Sequence, residues 1–280
     1  MSRLQRWTTW LTEFDGSTRA VGLVRCGWGL ILWARWADEL LPFRSMQLSF
    51  WILGLLFFIG TTGMVVGWYS RGACLVSGLV TVWMVFVVGQ QDGMESWAHH
   101  HTTFLAVVTF VLAFTPCGRS FSLDRWLAIR RAERNGTEWP TEWGNVWAVR
   151  LVALQLSAIY FWGAFDKMRW AVLGGDRIEQ PLMYLYFGSD YPGVWFHWMA
   201  VALAWATVCL ECTLAVGLWI PRFQRRLMLV GILFHGMLYY TLPVTVFSVS
   251  TVLAYLTYVH PNTVHQAVGR LLGIPKKAGE

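Results

Sequence analysis

Charged side chains are scarce in this sequence, and their scarcity limits what the chain can be. Only 14% of the 280 residues are Asp, Glu, Lys or Arg, whereas 56% are hydrophobic. This balance excludes a soluble cytosolic globule and is typical of integral membrane proteins. The net charge of +6 comes from short segments between apolar runs and forms no continuous basic face. We therefore predict the lipid bilayer as a partner and no binding of nucleic acid.

Cysteine is also sparse and odd in number, with five residues that lie mostly inside apolar stretches. Such a set makes no disulfide framework. Cys209 and Cys212 have the CxxC spacing, but no soluble redox context surrounds them, and helix packing is their preferred interpretation. The first residues are followed by no small-residue cleavage site, so no cleaved signal peptide is predicted. No soluble catalytic domain is predicted either.

Long apolar runs dominate the rest of the sequence. Crossing a bilayer core of roughly 30 Å takes about 20 helical residues. The runs predict eight membrane-spanning helices, with seven or nine as alternatives because the last two runs are short and interrupted by Pro243. The predicted spans are 20–37, 46–68, 72–90, 98–115, 146–165, 194–220, 227–243 and 245–260. The predicted fold class is an all-α polytopic transmembrane bundle, with residues 1–280 forming one membrane domain.

The positions of the cationic residues predict how these spans are oriented, because Lys and Arg near helix ends face the cytoplasm. The loop after the fourth span carries five arginines and is therefore placed inside. Counting outward from this loop puts Arg71, the cluster at 222–226 and both termini inside as well. The exceptions, which fall outside, are Arg35, Arg44, Arg169 and Arg177.

Short amphipathic helices are predicted on the membrane surface at both ends of the chain, where apolar residues recur at helical spacing. Basic residues accompany both segments, with Arg3 and Arg6 at one end and Lys276 and Lys277 at the other. The apolar residues that define the two helices are Leu4, Trp7, Leu11 and Phe14, and Val264, Val268, Leu271 and Leu272.

Ionisable residues in apolar spans are the candidate functional residues, since each costs a few kcal/mol unless it is paired or faces a cavity. Five positions stand out: Arg25, His101, Lys167, Glu211 and His235. A glutamate at the depth of Glu211 must be protonated or paired, and Arg25 is its predicted partner. His235 is either a hydrogen-bonding residue between helices or a site residue.

Lys167 follows the fifth span, on the side where the positive-inside rule does not place a lysine. One interpretation is an anchor that extends its amine to water. The other is a base, because an ammonium buried in an apolar pocket loses its proton easily and the neutral amine then accepts one. A pairing with Asp166 would count against the base.

Three histidines, His99, His100 and His101, open the fourth span on the same outer side. Consecutive residues of a helix point in different directions, so they cannot jointly bind one metal ion, and no metal site is predicted. Interfacial polar residues are one interpretation of this run. The other uses His101 alone, with its imidazole hydrogen-bonded to a substrate or to developing charge.

Several short motifs follow one another in a fixed order. They are Arg25-Cys-Gly-Trp-Gly29, His101-Thr-Thr-Phe-Leu105, Pro116-Cys-Gly-Arg-Ser-Phe-Ser-Leu-Asp124, Tyr160-Phe-Trp-Gly-Ala-Phe-Asp-Lys167, Glu211, and Phe234-His235 followed by Phe247-Ser248. In order and spacing, this set resembles the HTTM core of the vitamin K-dependent gamma-carboxylase family, over about residues 17–261. The chain is similar to the bacterial HTTM-domain proteins.

The resemblance implies a lyase-type membrane enzyme in which Lys167 deprotonates a hydroquinone, so that oxygen converts it to a strong alkoxide base. That base would remove a substrate proton, and the resulting carbanion would take up carbon dioxide. His101 and His235 are implied to assist. The residues implied to support the site are Arg25, Tyr160 and Glu211.

The resemblance also implies the cofactors and the location. The cofactors are a reduced quinone of the vitamin K hydroquinone or menaquinol type, O2 and CO2. The partners are the hydrophobic quinol and a peptide or protein substrate. The protein is expected in the bacterial inner membrane with its site toward the extracytoplasmic side.

The sequence departs from the family pattern at identifiable places. No counterpart exists for the large extracytoplasmic domain with which the animal carboxylase recognises its protein substrate. The tandem lysine of that enzyme reads Asp166-Lys167, and the expected tryptophan stands early, at Trp170. A non-catalytic membrane partner, such as an immunity or peptide-processing protein, is therefore the alternative function. A transporter comes third, because inverted repeats and paired broken helices are missing.

Overall fold

Helices form most of the chain, in agreement with its apolar runs. The computed structural model describes residues 3–41, 47–91, 100–188, 190–242 and 244–273. Its helices are α1 (Arg3–Thr12), α2 (Arg19–Trp36), α3 (Leu48–Val66), α4 (Ser70–Trp83), α5 (His100–Leu112), α6 (Leu123–Asn135), α7 (Ala148–Lys167), α8 (Trp170–Leu173), α9 (Asp176–Leu182), α10 (Val194–Gly217), α11 (Pro221–Thr241), α12 (Thr245–Ala254) and α13 (Pro261–Leu271). Wider π-helical turns continue α4 over Met84–Gln91 and α9 over Met183–Phe187, and a 3₁₀ turn, Tyr255–Thr257, follows α12.

Every predicted span coincides with one of these helices: α2, α3, α4, α5, α7, α10, α11 and α12. Within the described residues, four helices are long and apolar enough to cross a bilayer: Leu48–Val66, Ser70–Gln90, Ala148–Lys167 and Val194–Gly217. Helix α5 and the segment Thr245–Thr257 are apolar but shorter, while α2 and α11 each carry three arginines. The all-α membrane fold is confirmed. The total of eight crossings stays a prediction.

Some predicted features lie outside the described residues. They are Arg44, His99, Pro243, Lys276 and Lys277.

The terminal helices are present as predicted, but they differ in packing. Helix α1 leaves Trp7 68% exposed. Phe14 lies beyond the end of α1, where the guanidinium of Arg150 stacks 3.9 Å from its ring centre. Helix α13 buries Val264 while Leu271 remains 85% exposed. Its first turns are therefore packed against the protein, and its last turn leaves an apolar side chain exposed. The location of this helix on the membrane surface stays a prediction.

The described residues divide into two compact units. Unit 1 comprises Met1–Val152 and Leu253–Glu280, and unit 2 comprises Ala153–Val252. The organisation as one membrane domain stays a prediction.

A small antiparallel ribbon in unit 1 was not anticipated by the hydropathy pattern. Strand β1 (Asp15–Ser17) pairs with β2 (Trp143–Asn145), with Gly16 opposite Gly144. Helix α13 closes on the ribbon, because the Ser17 hydroxyl lies 2.9 Å from Nδ1 of His265. We call this arrangement of β1, β2 and α13 the clasp.

Beside the clasp, buried polar side chains join the ends of several helices. Arg19 pairs with Glu142 at 2.8 Å. The Asp124 carboxylate accepts hydrogen bonds from the backbone N–H groups of Tyr69 and Ser70 and from the Ser70 hydroxyl. That hydroxyl also accepts a hydrogen bond from Arg25, whose side chain is completely buried. The chain Arg25–Ser70–Asp124 fixes the turn between α3 and α4, so the first residues of α2, α4 and α6 meet at one end of unit 1.

The turn between α3 and α4 also requires glycine at position 67. Gly67 has φ +76°, and a Cβ there would overlap a guanidinium nitrogen of Arg25. Gly63, one turn earlier, approaches Ala73 closely. Both glycines therefore permit the close approach of neighbouring segments at this turn.

Asp124→Asn tests the role of the carboxylate in this turn. The amide would present N–H donors toward backbone N–H donors that the carboxylate now satisfies. We expect a loss of about 2–4 kcal/mol in the free energy of unfolding, because hydrogen bonds to a charged group are lost and buried donors are left unsatisfied. Unfolding in detergent micelles would measure this loss. Glu133→Gln, at an exposed ion pair with Arg130, should change stability by less than about 0.5 kcal/mol. Equal stability of the two variants would contradict the stabilising role assigned to the Asp124 carboxylate.

Candidate functional site

The candidate site lies in unit 2 and begins with one face of α7. Tyr160, Gly163, Ala164 and Lys167 recur at the spacing that places side chains on a single helix face. Tyr160 and Ala164 are buried. Lys167 is in the last turn, where its side chain is 36% exposed. The face therefore runs from a buried hydroxyl to an amine at the helix end.

Lys167 is held by three hydrogen bonds. Its Nζ donates to the two carboxylate oxygens of Glu211, at 2.8 and 3.0 Å, and to the carbonyl oxygen of Gly163, at 3.2 Å. An ammonium group has three donors and no acceptor, so this arrangement uses its full capacity. The geometry is that of an ion pair between α7 and α10.

Glu211 reaches Lys167 because it lies on the buried stripe of α10. The stripe consists of Phe196, Ala200, Ala204, Val208, Glu211 and Leu214, which follow one another three or four residues apart. The Glu211 side chain is only 10% exposed, less than that of Lys167. A carboxylate so far from water needs a counter-charge, and Lys167 supplies it.

Arg25 was the partner predicted for Glu211, and this prediction is corrected by the structure. The carboxylate of Glu211 binds Lys167. The guanidinium of Arg25 donates to Ser70 and to the carbonyl oxygen of Phe121, both in unit 1. Arg25 lies in the second turn of α2, so its long side chain reaches the polar end of the helix.

A second polar pair involves the same face of α7. The Tyr160 hydroxyl lies 2.8 Å from Nε2 of His235 on α11. Both side chains are almost completely buried, at 2% and 1% exposure. The rings of Phe234 and Phe247 contact the imidazole at its sides. His235 is thus a hydrogen-bonding residue between helices in an aromatic surrounding, and its role in chemistry stays a prediction.

His101 belongs to unit 1, where it lies in the first turn of α5 and is partly exposed. Lys167, Tyr160, Glu211 and His235 belong to unit 2. A joint site of His101 with Lys167 and His235 therefore stays a prediction.

Two further findings concern the neighbours of Lys167. A pairing of Lys167 with Asp166 would have counted against Lys167 as a base. Asp166 instead pairs with Arg169, at 3.1 Å. The ion pair lies close against Gly163, because a Cβ there would lie 3.3 Å from Nζ of Lys167 and 3.4 Å from Oε2 of Glu211. A larger residue at this position would crowd the pair.

The CxxC cysteines have no part in this pairing. Cys209 is exposed and Cys212 is partly buried, and both are free thiols. Helix packing, the interpretation preferred for both cysteines, therefore fits the partly buried Cys212 better than the exposed Cys209.

The comparison with known proteins identifies one family. The family model described as the HTTM domain matches residues 35–262. This stretch contains all four polar residues of the unit 2 site, and His101 as well. No curated protein and no solved structure matches the chain.

The unequal exposure of the two ion-pair partners predicts unequal effects of removing them. Lys167→Met leaves a buried carboxylate alone, and we expect a loss of about 2–4 kcal/mol, less than for a fully buried pair because the amine is partly solvated. Glu211→Gln leaves an amine that reaches water and keeps the Gly163 carbonyl, so its cost should be about 1 kcal/mol. The free energies of unfolding of the two variants, measured in detergent micelles, would test this difference.

Asp166→Asn is the matched control for this comparison. Its pair with Arg169 is exposed, at 70% and 78%, so its removal should be neutral. A Lys167→Met protein as stable as this control would show that the Lys167–Glu211 pair is not desolvated.

Proposed function

The chain belongs to the HTTM-domain family, and from this membership we propose that it is a membrane-embedded enzyme in which Lys167 and Glu211 together remove a proton from a quinol. The observation that carries the proposal is the ion pair at 2.8 Å. Its lysine is the residue to which the resemblance to the vitamin K-dependent gamma-carboxylases assigns the base. Its carboxylate supplies the proton acceptor that a fully hydrogen-bonded ammonium lacks.

The pair can accept a proton without losing its positive charge. Lys167 passes one proton along its hydrogen bond to the Glu211 carboxylate and takes another from the hydroxyl group of the substrate. The net change is one proton on Glu211, while the ammonium of Lys167 remains to stabilise the new oxyanion. Such stabilisation by a preorganised charge in a poorly hydrated site is a strong catalytic effect.

The surroundings of the pair fit an apolar ring that carries a hydroxyl. The side chain of Lys167 is 36% exposed, so its amine can be reached by a substrate. Exposed aromatic side chains of α7, Phe161, Trp162 and Phe165, lie next to it in sequence, and in a membrane such a surface suits a hydrophobic quinol. The reduced quinone, once deprotonated and oxygenated with O2, supplies a base strong enough to deprotonate a carbon acid.

The remaining residues have supporting roles in this proposal. Tyr160 and His235 hold one another and orient the α7 face, and His101 stabilises developing charge. In the carboxylase form of the chemistry, a carbanion on a peptide or protein substrate captures CO2.

The proposed location is a bacterial inner membrane, with both termini in the cytoplasm and the Lys167 end of α7 toward the outside. The supporting observation is the clustering of cations at one end of unit 1. Arg71 lies beside the turn that Asp124 fixes, and Arg119 and Arg125 lie in or next to the same junction. Positive charge on one side favours the cytoplasm.

A second candidate function is a non-catalytic membrane partner, such as an immunity or peptide-processing protein. The observation that favours it is the same ion pair seen as a structural link, because all three donors of Lys167 are occupied. In that case the positive charge, and not the transferable proton, is what matters at position 167.

Lys167→Arg separates the two functions, because arginine keeps the charge for Glu211 but cannot be deprotonated in a protein. The assay is oxygen-dependent oxidation of menaquinol and of vitamin K hydroquinone by the purified full chain in lipid nanodiscs. We expect Lys167→Arg and Lys167→Ala to lose at least about 100-fold in rate, and Asp166→Asn to match the wild type.

Two results would reject the enzyme. One is quinol oxidation by the wild type no faster than in protein-free nanodiscs. The other is a Lys167→Arg rate equal to that of the wild type. Retained partner function in Lys167→Arg, with loss in Lys167→Met, would favour the structural role.

A further inference from the structure

A second group of polar side chains lies in unit 2, between the end of α7 and the first turn of α10. Asp176 and Glu179 are one turn apart on α9, and His197 is in the first turn of α10. One potential ligand atom of each lies within 4.8 Å of the others. We propose that Asp176, Glu179 and His197 bind a divalent transition-metal ion such as Zn²⁺.

The backbone explains why these side chains converge. Gly175, directly before α9, has φ +90°, and a Cβ there would lie 2.9 Å from the backbone nitrogen of Val201. Val201 is one turn beyond His197 on α10. The two helices therefore make close contact at this point, and only a residue without a side chain permits it. Asp176 and Glu179 follow immediately and are brought next to His197.

The ligand set determines the class of metal. Two carboxylates and a neutral imidazole offset the charge of a divalent ion. Imidazole is a common ligand of zinc and other first-row transition metals, whereas calcium and magnesium prefer oxygen ligands alone. Three protein ligands leave further coordination positions for water. The group is thus suited to a zinc-like ion and poorly suited to calcium.

Surrounding contacts already orient one ligand. Nδ1 of His197 lies 2.7 Å from Oε2 of Glu179, whose side chain is 15% exposed. The Tyr191 hydroxyl is hydrogen-bonded to Glu179 and can hold its carboxylate in place, as hydrogen-bonding partners of metal ligands commonly do.

Asp176 distinguishes a metal site from a purely structural contact. The bond between Glu179 and His197 by itself links α9 to α10. Asp176 is exposed and takes no part in that bond. A structural link would therefore tolerate Asp176→Asn, whereas a metal site would lose one of its three ligands.

The experiment uses the full chain in detergent, purified without a histidine tag and dialysed against a chelator. Co²⁺ alone is added as the spectroscopic probe, followed by displacement with Zn²⁺, and the unfolding temperature is recorded with and without Zn²⁺. We expect one ion per chain and a higher unfolding temperature with Zn²⁺, because a ligand that binds only the folded state stabilises it.

One substitution at each proposed ligand tests whether that residue binds the metal ion. Asp176→Asn, Glu179→Gln and His197→Ala should each weaken binding at least tenfold, and Asp166→Asn should bind as the wild type does. Asp176→Asn should keep the metal-free unfolding temperature of the wild type, which shows that its loss of binding is not misfolding. No stoichiometric binding by the wild type would overturn the proposal, as would equal affinity in Asp176→Asn and wild type.

Discussion

A polar group inside an apolar helix must find its partner within the protein, because lipid offers no hydrogen bonds and solvates charge poorly. This constraint accounts for the polar contacts of both units. In unit 1 the buried guanidinium of Arg25 donates to the Ser70 hydroxyl and to the carbonyl of Phe121. In unit 2 the amine of Lys167 and the carboxylate of Glu211 satisfy one another. Each contact also joins helices that hydrophobic packing alone would hold with less specificity.

The Arg25 contacts of unit 1 and the Lys167–Glu211 pair of unit 2 differ in whether they can transfer a proton. A guanidinium does not give up its proton in a protein, so the Arg25–Ser70–Asp124 chain can only hold structure. An ammonium hydrogen-bonded to a carboxylate can transfer a proton, because both members have accessible neutral forms. The two arrangements also differ in accessibility, because the side chain of Lys167 is 36% exposed whereas Arg25 is completely buried. We therefore propose catalysis at the pair in unit 2 and not at the larger polar junction of unit 1.

Hydropathy predicts the helices and the ionisable residues within them. Most residues of the site can therefore be identified from the sequence. Lys167, Glu211 and His235 stand out because their surroundings are apolar, whereas Tyr160 is implied only by the family resemblance. Their pairing does not follow, since it depends on which helix faces adjoin, and Glu211 was matched to the wrong cation for that reason.

The strands β1 and β2 are too short and too rich in polar residues and glycine to show an alternating pattern. Asp176 and Glu179 lie in polar sequence where no ligand stands out, whereas His197 lies near the start of an apolar span. His197 is also 18 residues from Glu179, so only the folded chain brings them together.

The clasp has a consequence for how the protein is made. Ser17 is synthesised early, its strand partner Trp143 midway, and His265 only after all of unit 2 has been synthesised. Until then the guanidinium of Arg19 lacks the carbonyl of His265 that it binds in the finished structure. Domains usually assemble in the order of synthesis, but unit 1 cannot do so. A nascent chain must therefore keep its earliest helices competent for closure while the intervening 100 residues, 153–252, are inserted.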